Sequence, residues 1–137
     1  MRDNASMPAT SPVRAPLAPV GARFSAQFID GAVAALIAAG VFCAAKAMGW
    51  PLWWMFLGWA AYMLMRDALP GGQSLGKRLL RIAVVHKDSG RPCSIGRSMT
   101  RNVTMMTLGY VDAIFIAGRT RRRIGDYLAR TRVIAVR

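Results

Sequence analysis

Two uncharged apolar stretches, residues 31–45 and 50–65, follow one another closely and constrain the fold more than any other feature of the 137-residue chain. The first lies within the segment 24–48, which as a helix would be about 37 Å long at about 1.5 Å per residue. That length exceeds the hydrocarbon core of a bilayer, which is about 30 Å thick. The sequence therefore predicts a transmembrane helical hairpin with spans at about 24–48 and 50–66.

The ends of the second stretch carry side chains that are typical of a membrane interface. Trp50, Trp53 and Trp54 cluster at its start, where amphipathic rings favour the headgroup level. Arg66 follows its last apolar residue, and because the stretch is short we expect this side chain to snorkel toward the interface. Residues 48–51 form the predicted turn of the hairpin.

The chain combines 54% hydrophobic residues with a formal net charge of +13, which narrows the class of protein. The combination is typical of a membrane protein with basic cytoplasmic segments. A nucleic-acid binder would carry a recognition motif and place aromatic residues among its arginines, and this sequence does neither. It has no glutamate, one histidine, His86, and two cysteines, Cys43 and Cys93, which we expect in different environments. We therefore expect no enzyme active site, cofactor, metal site, disulfide or nucleic-acid partner.

The distribution of cations orients the hairpin. Lys46 is the one cation at its tip, whereas fifteen of the nineteen Lys and Arg residues lie at Arg66 or later. Because cytoplasmic segments carry the excess of Lys and Arg, both ends of the hairpin are predicted to face the cytoplasm. Residues 1–22 contain four prolines and no apolar periodicity, so we predict a disordered tail there and a membrane domain over residues 23–137.

A third helical segment is predicted at about residues 97–118, and its path is left open. It contains Asp112 and a break at Gly109, and a single crossing would place its C-terminal arginines outside, against the positive-inside rule. We favour an amphipathic interfacial or re-entrant helix, with a spanning helix as the alternative. Two runs rich in branched residues, 82–85 and 133–136, predict a small cytoplasmic β-pairing. The predicted fold class is thus an all-α membrane protein with this one pairing.

The glycine-rich stretch 71–78, GGQSLGKR, has part of the spacing of a phosphate-binding loop. A working loop needs Ser or Thr after the lysine to hold Mg²⁺, and Arg78 stands there instead. We predict a turn that leaves the bilayer, followed by a short basic helix over residues 74–81. Its Lys77, Arg78 and Arg81 would contact lipid phosphates, while its leucines face the acyl chains.

Four separated motifs, taken together, resemble the RDD family of bacterial membrane proteins. They are RFSAQFID at 23–30, GGQSLGKRLLRIAVV at 71–85, Arg101-Asn102, and RRRIGDYLARTRVI at 121–134. The resemblance covers about residues 20–137 and implies that Arg23 and Asp30 are the family's arginine and first aspartate. We assign the second aspartate to Asp126, with Asp67 as the less favoured alternative. The supporting motif positions are Gly72, Gln73, Gly76, Lys77, Arg101 and Thr131.

Asp30 is the sharpest functional candidate on physical grounds. It lies seven positions after Arg23, so both side chains share one helix face, and it sits about 10 Å into the predicted span. A carboxylate at that depth is costly unless it is paired, hydrated or protonated. One that switches between these states suits a proton-coupled carrier. The alternative is that Asp30 is locked to Arg23 or Arg101 and fixes helix packing.

Two functional hypotheses follow. The resemblance implies transport of an unidentified ligand, or cation/proton exchange, by a protein of the bacterial inner membrane with a cytoplasmic N-terminus. Because two or three helices enclose little of a pathway, transport implies a homo-oligomer or a protein partner. The alternative is a non-transporting scaffold or accessory subunit that binds anionic lipid or a protein partner. The arginines expected at lipid headgroups are Arg78, Arg81, Arg121, Arg122 and Arg123.

Overall fold

The computed structural model describes residues 15–109, 111, 114–115 and 122–136. Within these ranges the chain is mostly helical, with one pair of strands. In chain order the elements are α1 (Val20–Met48), α2 (Trp54–Met65), α3 (Leu75–Leu79), β1 (Ile82–His86), α4 (Ile95–Leu108), α5 (Ile124–Leu128) and β2 (Thr131–Ala135). Two short 3₁₀ turns, Arg66–Ala68 and Pro70–Gly72, connect α2 to α3.

Helices α1 and α2 pack against each other in an antiparallel arrangement. A side chain at Gly58 of α2 would touch Ile37 and Val41 of α1. One turn later in α2, the Tyr62 hydroxyl hydrogen-bonds Asp30, which lies nearer the start of α1. Because the contacts run in opposite order along the two helices, the chain turns back on itself between them.

The two helices differ from their predicted lengths. α1 begins at Val20, four residues earlier than predicted, and ends at Met48 as predicted. Gly49 then adopts a left-handed conformation with φ 68°, which glycine reaches without steric cost. α2 covers only Trp54–Met65, shorter than the predicted 50–66, because the chain after Gly49 first forms a turn. Within the described part of the chain, α1 is the one helix long and apolar enough to cross a membrane.

The predicted β-pairing is present in the structure. β1 and β2 are antiparallel, with Ile82 opposite Ala135 and His86 opposite Thr131. The branched residues that indicated the two runs lie at the centre of the pairing, where such side chains pack well. The location of the sheet on the cytoplasmic side stays a prediction.

Residues 15–22 belong to the folded part of the chain, so the boundary predicted for the tail is too late. Leu17 forms a bridge with Ile134, and the Ala18 N–H donates to the Val133 carbonyl at 3.1 Å. This pairing joins positions more than 100 residues apart, so the local composition of the tail could not indicate it. The remainder of the predicted tail, residues 1–14, lies outside the described residues.

A small apolar core lies between the sheet and the first turns of α1. Its fully buried side chains are Ala18, Ala26, Ile82, Val84, Cys93 and Val133. Leu80 packs against this core, so the expectation that it faces acyl chains is wrong, because the chain turns into β1 directly after α3. Leu75 and Leu79 are exposed, and their contact with acyl chains stays a prediction. Cys93 belongs to this core and Cys43 is exposed on α1, and both are free thiols.

The surfaces of α1 and α2 are the reverse of those of a soluble protein. Large apolar side chains point outward: Phe28 is 81% exposed, Leu36 72% and Phe56 61%. Charged side chains point inward, with Asp30 at 0% and Arg66 at 1%. Exposed apolar area of this extent marks a membrane or a partner surface. In lipid the arrangement is favourable, because apolar side chains meet acyl chains while polar groups find partners inside.

The third predicted helix is α4, and it ends where the break was predicted. It covers Ile95–Leu108, and Gly109 follows it with φ 54°. Most of the chain from there to residue 121, including Asp112, lies outside the described residues, so the choice between a re-entrant and a spanning path for 97–118 stays open. The buried face of α4 is polar and consists of Ser98, Arg101 and Asn102.

Candidate functional site

Three carboxylates and four cations from five elements form a buried cluster, which we call the ionic network. Each of the seven residues is at most 8% exposed. Burial of an unpaired charge is costly, so a cluster of this size is stable only when nearly every charge has a partner. Fully ionised, the network carries one positive charge in excess. Its members are Arg23 and Asp30 of α1, Arg66 and Asp67 of the first 3₁₀ turn, Lys77 of α3, Arg101 of α4 and Asp126 of α5.

Asp30 receives donors from several directions. The Ser74 hydroxyl lies 2.5 Å from one of its carboxylate oxygens, and the Gly76 N–H lies 2.9 Å from the other. The Tyr62 hydroxyl donates at 3.1 Å, and the Arg66 guanidinium lies 3.6 Å away. Four groups thus compensate one carboxylate. The expectation that Asp30 pairs with a cation is confirmed, but the predicted partners, Arg23 and Arg101, are wrong.

The glycine-rich stretch 71–78 surrounds this carboxylate. Ser74 caps the short helix α3, which lies within the predicted basic helix 74–81. A side chain at Gly76 would overlap the carbonyl oxygen of Ala26 and lie 3.0 Å from Asp30, so only glycine lets α3 approach α1 this closely. The donors that resembled a phosphate loop therefore bind an acidic side chain of the same protein.

Two further positions of the stretch support the sheet. Gly72 has φ 69°, and a side chain there would overlap the Val84 carbonyl oxygen of β1. The Gln73 amide donates to the Ile82 carbonyl at 3.0 Å. Gly72 therefore allows close packing against β1, and Gln73 contributes a hydrogen bond to it. Neither residue lies against Asp30.

Asp67 is the second carboxylate of the network. It forms salt bridges with Lys77 and, at 3.1 Å, with the Arg101 Nε. Burial alone would raise the pKa of Asp67, but the charges of Lys77, Arg101 and Arg66 outweigh it and hold that pKa well below its usual range. Asp67 is thus an anion at neutral pH. Lys77, predicted to contact lipid phosphates, is buried against Asp67 instead, because its position on α3 faces the 3₁₀ turn after α2 rather than the surface.

Arg101 joins two carboxylates into one assembly. Its Nε donates to Asp67, while its Nη1 donates to Asp126 and, at 2.8 Å, to the Thr131 hydroxyl. Asp126 also lies 3.5 Å from the Arg23 guanidinium. The structure therefore brings together Arg23, Arg101, Asp126 and Thr131, which the sequence singled out separately. Both candidates for the family's second aspartate, Asp67 and Asp126, contact this one guanidinium.

Asp126 is placed by the start of α5. Its carboxylate accepts the Arg123 backbone N–H at 3.2 Å, which satisfies one of the free donors at the helix start. A side chain at Gly125 would lie 2.9 Å from the Arg101 carbonyl oxygen, so α5 and α4 approach each other backbone to backbone. Within the motif at 121–134, Gly125 thus allows the close approach of α5 to α4, whereas Asp126 binds a free donor at the start of α5.

Sequence reasoning missed the centre of the network. Arg66 was expected to snorkel, but it is 1% exposed, because its guanidinium finds acceptors inside: Gln27 at 2.7 Å and Asn102 at 3.0 Å. The sequence feature that could have indicated this position is the charged pair Arg66-Asp67 directly after an apolar helix. Such a pair either ends a transmembrane span at the interface or lies in a polar interior. The sequence analysis also did not single out four polar residues that hydrogen-bond to the network: Gln27, Tyr62, Ser74 and Ser98.

The arginines predicted at lipid headgroups divide into two groups. Arg78 and Arg81 are exposed, and Arg78 donates to the Pro70 carbonyl at 3.1 Å. Arg122 and Arg123 are half-buried; the Arg122 guanidinium stacks on Tyr127, with 4.3 Å to the ring centre. Arg121 lies outside the described residues. Lipid contact by any of them stays a prediction.

No group of three or more His, Cys, Asp or Glu side chains suited to a metal ion occurs among the described residues. What the geometry does define is a class of protein: a helical fold with a long apolar helix, an apolar exterior and a charged interior. The model of the RDD family matches residues 17–130, so the chain belongs to this family. The family and the apolar helix together support a membrane protein. No curated protein and no solved structure matched the chain.

Proposed function

We propose that this RDD protein is a non-transporting scaffold or accessory subunit of the bacterial inner membrane, embedded in anionic lipid and bound to a protein partner. Its family, the apolar helix α1 and the exposed apolar side chains support the embedding. In this account α1 and α2 form a transmembrane hairpin. Both of its ends face the cytoplasm, because its tip carries only Lys46 while the segments beyond its ends are rich in arginine.

The short helix α2 is compatible with this topology. Its twelve residues give about 18 Å, less than the hydrocarbon core of about 30 Å. The turn before it adds length, and it presents Trp50 and Trp53, both about half exposed, at the level where interfacial rings are favourable. At the other end the buried Arg66 needs no contact with water, because Asn102, Gln27 and Asp30 accept its donors.

The observation that carries the scaffold proposal is the surroundings of Asp30. A coupling carboxylate has to change its protonation state and exchange its partners during a cycle. Asp30 is 0% exposed and held by Ser74, Gly76, Tyr62 and Arg66 at once. Each exchange would have to break several contacts between α1, α2 and α3. The arrangement favours a carboxylate that fixes three elements relative to one another.

A second candidate function is proton-linked transport, and one observation favours it. The Asp30 carboxylate accepts from two hydroxyl groups, those of Tyr62 and Ser74, which are able to relay a proton. In this alternative an oligomer would enclose the pathway, since one copy offers few helices. The same experiment separates the two candidates.

The test is ion flux in liposomes that contain the purified protein and a pH-sensitive dye. Na⁺, K⁺ and Li⁺ are added in turn to wild type, Asp30→Asn and Tyr62→Phe, the last of which removes one hydroxyl and keeps the carboxylate. We expect no proton movement that depends on Asp30. Cation-driven proton movement in wild type that is lost in a folded Asp30→Asn protein would refute the scaffold proposal and establish transport.

A further inference from the structure

A large apolar groove runs along the outer face of α1. Its volume is about 880 Å³, and the side chains that carry the argument are Phe24, Phe28, Ile29 and Ala32 of α1, Met105 of α4, and Arg123 before α5. The wall is apolar over most of its length. Among the described residues that line it, Arg123 is the one with a charge. The groove therefore has an apolar body and one cationic end.

Within the described residues the Arg123 guanidinium forms no salt bridge, although Asp126 and Asp67 lie close enough to attract it. The Arg123 guanidinium donates to the Met105 sulfur at 3.4 Å, a weak acceptor. The nearby network already has one cation more than it has carboxylates, and its Arg101 lies close enough to affect Arg123 electrostatically. Burial and this second guanidinium lower the pKa of Arg123. An anion placed beside Arg123 would relieve this excess of positive charge.

The dimensions of the groove fit one leaflet of a bilayer. It follows α1 from Phe24 to Ala32, and this distance along the helix is about 12 Å. One leaflet of the hydrocarbon core is about 15 Å deep. Arg123 lies at the end near the start of α1, since Asp126, which its backbone contacts, also binds Arg23. In the proposed topology this end is at the cytoplasmic headgroup level.

We infer that the groove binds one anionic phospholipid, with its phosphate beside Arg123 and one acyl chain along α1. The inference rests on the proposed membrane embedding and adds a defined site with a defined lipid class. Charge complementarity selects this occupant. An apolar helix of a second copy would leave the cation unmatched, and a zwitterionic lipid would bring a further cation with its phosphate to a site that already has an excess of positive charge. The bound acyl chain would cover Phe28, which is 81% exposed.

The test compares bound lipid by native mass spectrometry. Protein in mild detergent is mixed with equal amounts of phosphatidylglycerol and phosphatidylcholine that have identical acyl chains. Wild type is expected to retain phosphatidylglycerol preferentially. Arg123→Gln should lower that retention about fivefold, the factor that corresponds to about 1 kcal/mol for one cation near an anionic lipid. The matched control is Arg91→Gln, which removes an exposed cation between β1 and α4 and should leave retention unchanged.

A second variant tests the groove independently of the charge. Ala32 is an exposed groove residue, and Ala32→Trp should fill the groove and displace both lipids without touching the network. Equal retention of phosphatidylglycerol by wild type and Arg123→Gln would overturn the inference, as would a lipid-free dimer with the groove at its interface. Extraction of wild type from membranes by alkaline carbonate would instead overturn the embedding itself, and the lipid site with it.

Discussion

Gly76 shows how closely the fold depends on single atoms. Its N–H binds Asp30 while its missing side chain makes room for the Ala26 carbonyl of α1. A residue with a side chain could supply the same N–H but not the same approach. At the scale of the residue, the glycines of the 71–78 stretch therefore serve the contact between helices.

Replacement of Gly76 by alanine tests this directly. Gly76→Ala should lower the free energy of unfolding by about 1–3 kcal/mol, because the added methyl group overpacks the contact with α1. Gly96→Ala in α4 is the control: no atom lies within 4 Å of the added methyl group, and alanine favours a helix. Denaturant titration in bicelles measures both. A loss no larger for Gly76→Ala than for Gly96→Ala would contradict the account.

The depressed pKa of Asp67 makes the fold sensitive to acid. The pKa of Asp67 is lower in the folded protein than in the unfolded chain, where the pKa of aspartate is about 4. The ionised Asp67 therefore stabilises the fold, and this contribution is fully present at a pH above about 4. The contribution is lost as the pH falls from about 4 toward the folded-state pKa. The cations that face Asp67, namely Lys77, Arg101 and Arg66, stay charged throughout this range.

The corresponding measurement is the melting temperature between pH 7 and pH 3. Wild type should lose stability below pH 4, while Asp67→Asn, already less stable at pH 7, should show a flatter profile. Asp88→Asn, at an exposed turn residue, should keep the wild-type profile. Parallel profiles for wild type and Asp67→Asn would show that another group controls the acid transition.

At the scale of the element, α4 is the helix that joins the membrane part to the sheet. Its polar face contacts the turn after α2 through Ser98 and Arg101, and Arg101 also bonds Asp126 of α5 and Thr131 of β2. Its other face exposes Ile95, Met99 and Val103. A helix that buries its charge and exposes its apolar residues is stable in a protein only if lipid or a partner covers the outer face.

Arg101→Gln should be the most destabilising change on α4. It leaves Asp67 and Asp126 buried with fewer cations, and the removal of one partner from a buried ion pair typically costs about 3–5 kcal/mol. The control is Arg97→Gln, one turn earlier on the same helix, which forms no salt bridge among the described residues. Bicelle unfolding measures both, and equal effects would refute a central role of Arg101.

The features that the sequence predicted correctly are local ones. Branched residues mark both strands, Gly49 and Gly109 mark helix ends, and the uncharged run marks α1. Each depends on a few neighbouring residues, so periodicity and turn chemistry were sufficient. The acids Asp30 and Asp126 also stood out, because a lone carboxylate is conspicuous in an apolar helix or among arginines.

The partners of those acids could not be predicted, because pairing in the network is remote in sequence. Arg23 and Asp126 are 103 positions apart, and Arg66 and Asn102 are 36 apart. Both Arg23 and Arg66 lie at the same end of the α1–α2 pair, so either could have reached Asp30. In the structure Arg66 does so and Arg23 pairs with Asp126, while α3 packs against α1. The same packing turns Lys77 inward, against the expectation of a lipid contact.

At the scale of the whole molecule, the α1–α2 pair has an apolar exterior and the protein has a charged interior. Cys accessibility tests where that exterior lies. In a protein whose Cys43 and Cys93 are replaced by alanine, Leu36→Cys is at a position 72% exposed in the middle of α1. It should not react with a membrane-impermeant maleimide in right-side-out or inverted vesicles until SDS is added. Ser89→Cys, in the exposed turn after β1, should react in inverted vesicles alone. Reaction of Leu36→Cys in intact vesicles would place α1 outside the bilayer.

We propose that Asp30 is a structural carboxylate whose four partners hold α1, α2 and α3 together. The most direct measurement is the free energy of unfolding in bicelles for Asp30→Asn beside Asp88→Asn, an exposed control at 65% side-chain exposure. The account predicts a loss of about 3–5 kcal/mol for Asp30→Asn. It predicts a change within about 0.5 kcal/mol for Asp88→Asn. Equal stability of the two variants would contradict the claim and leave Asp30 available for chemistry.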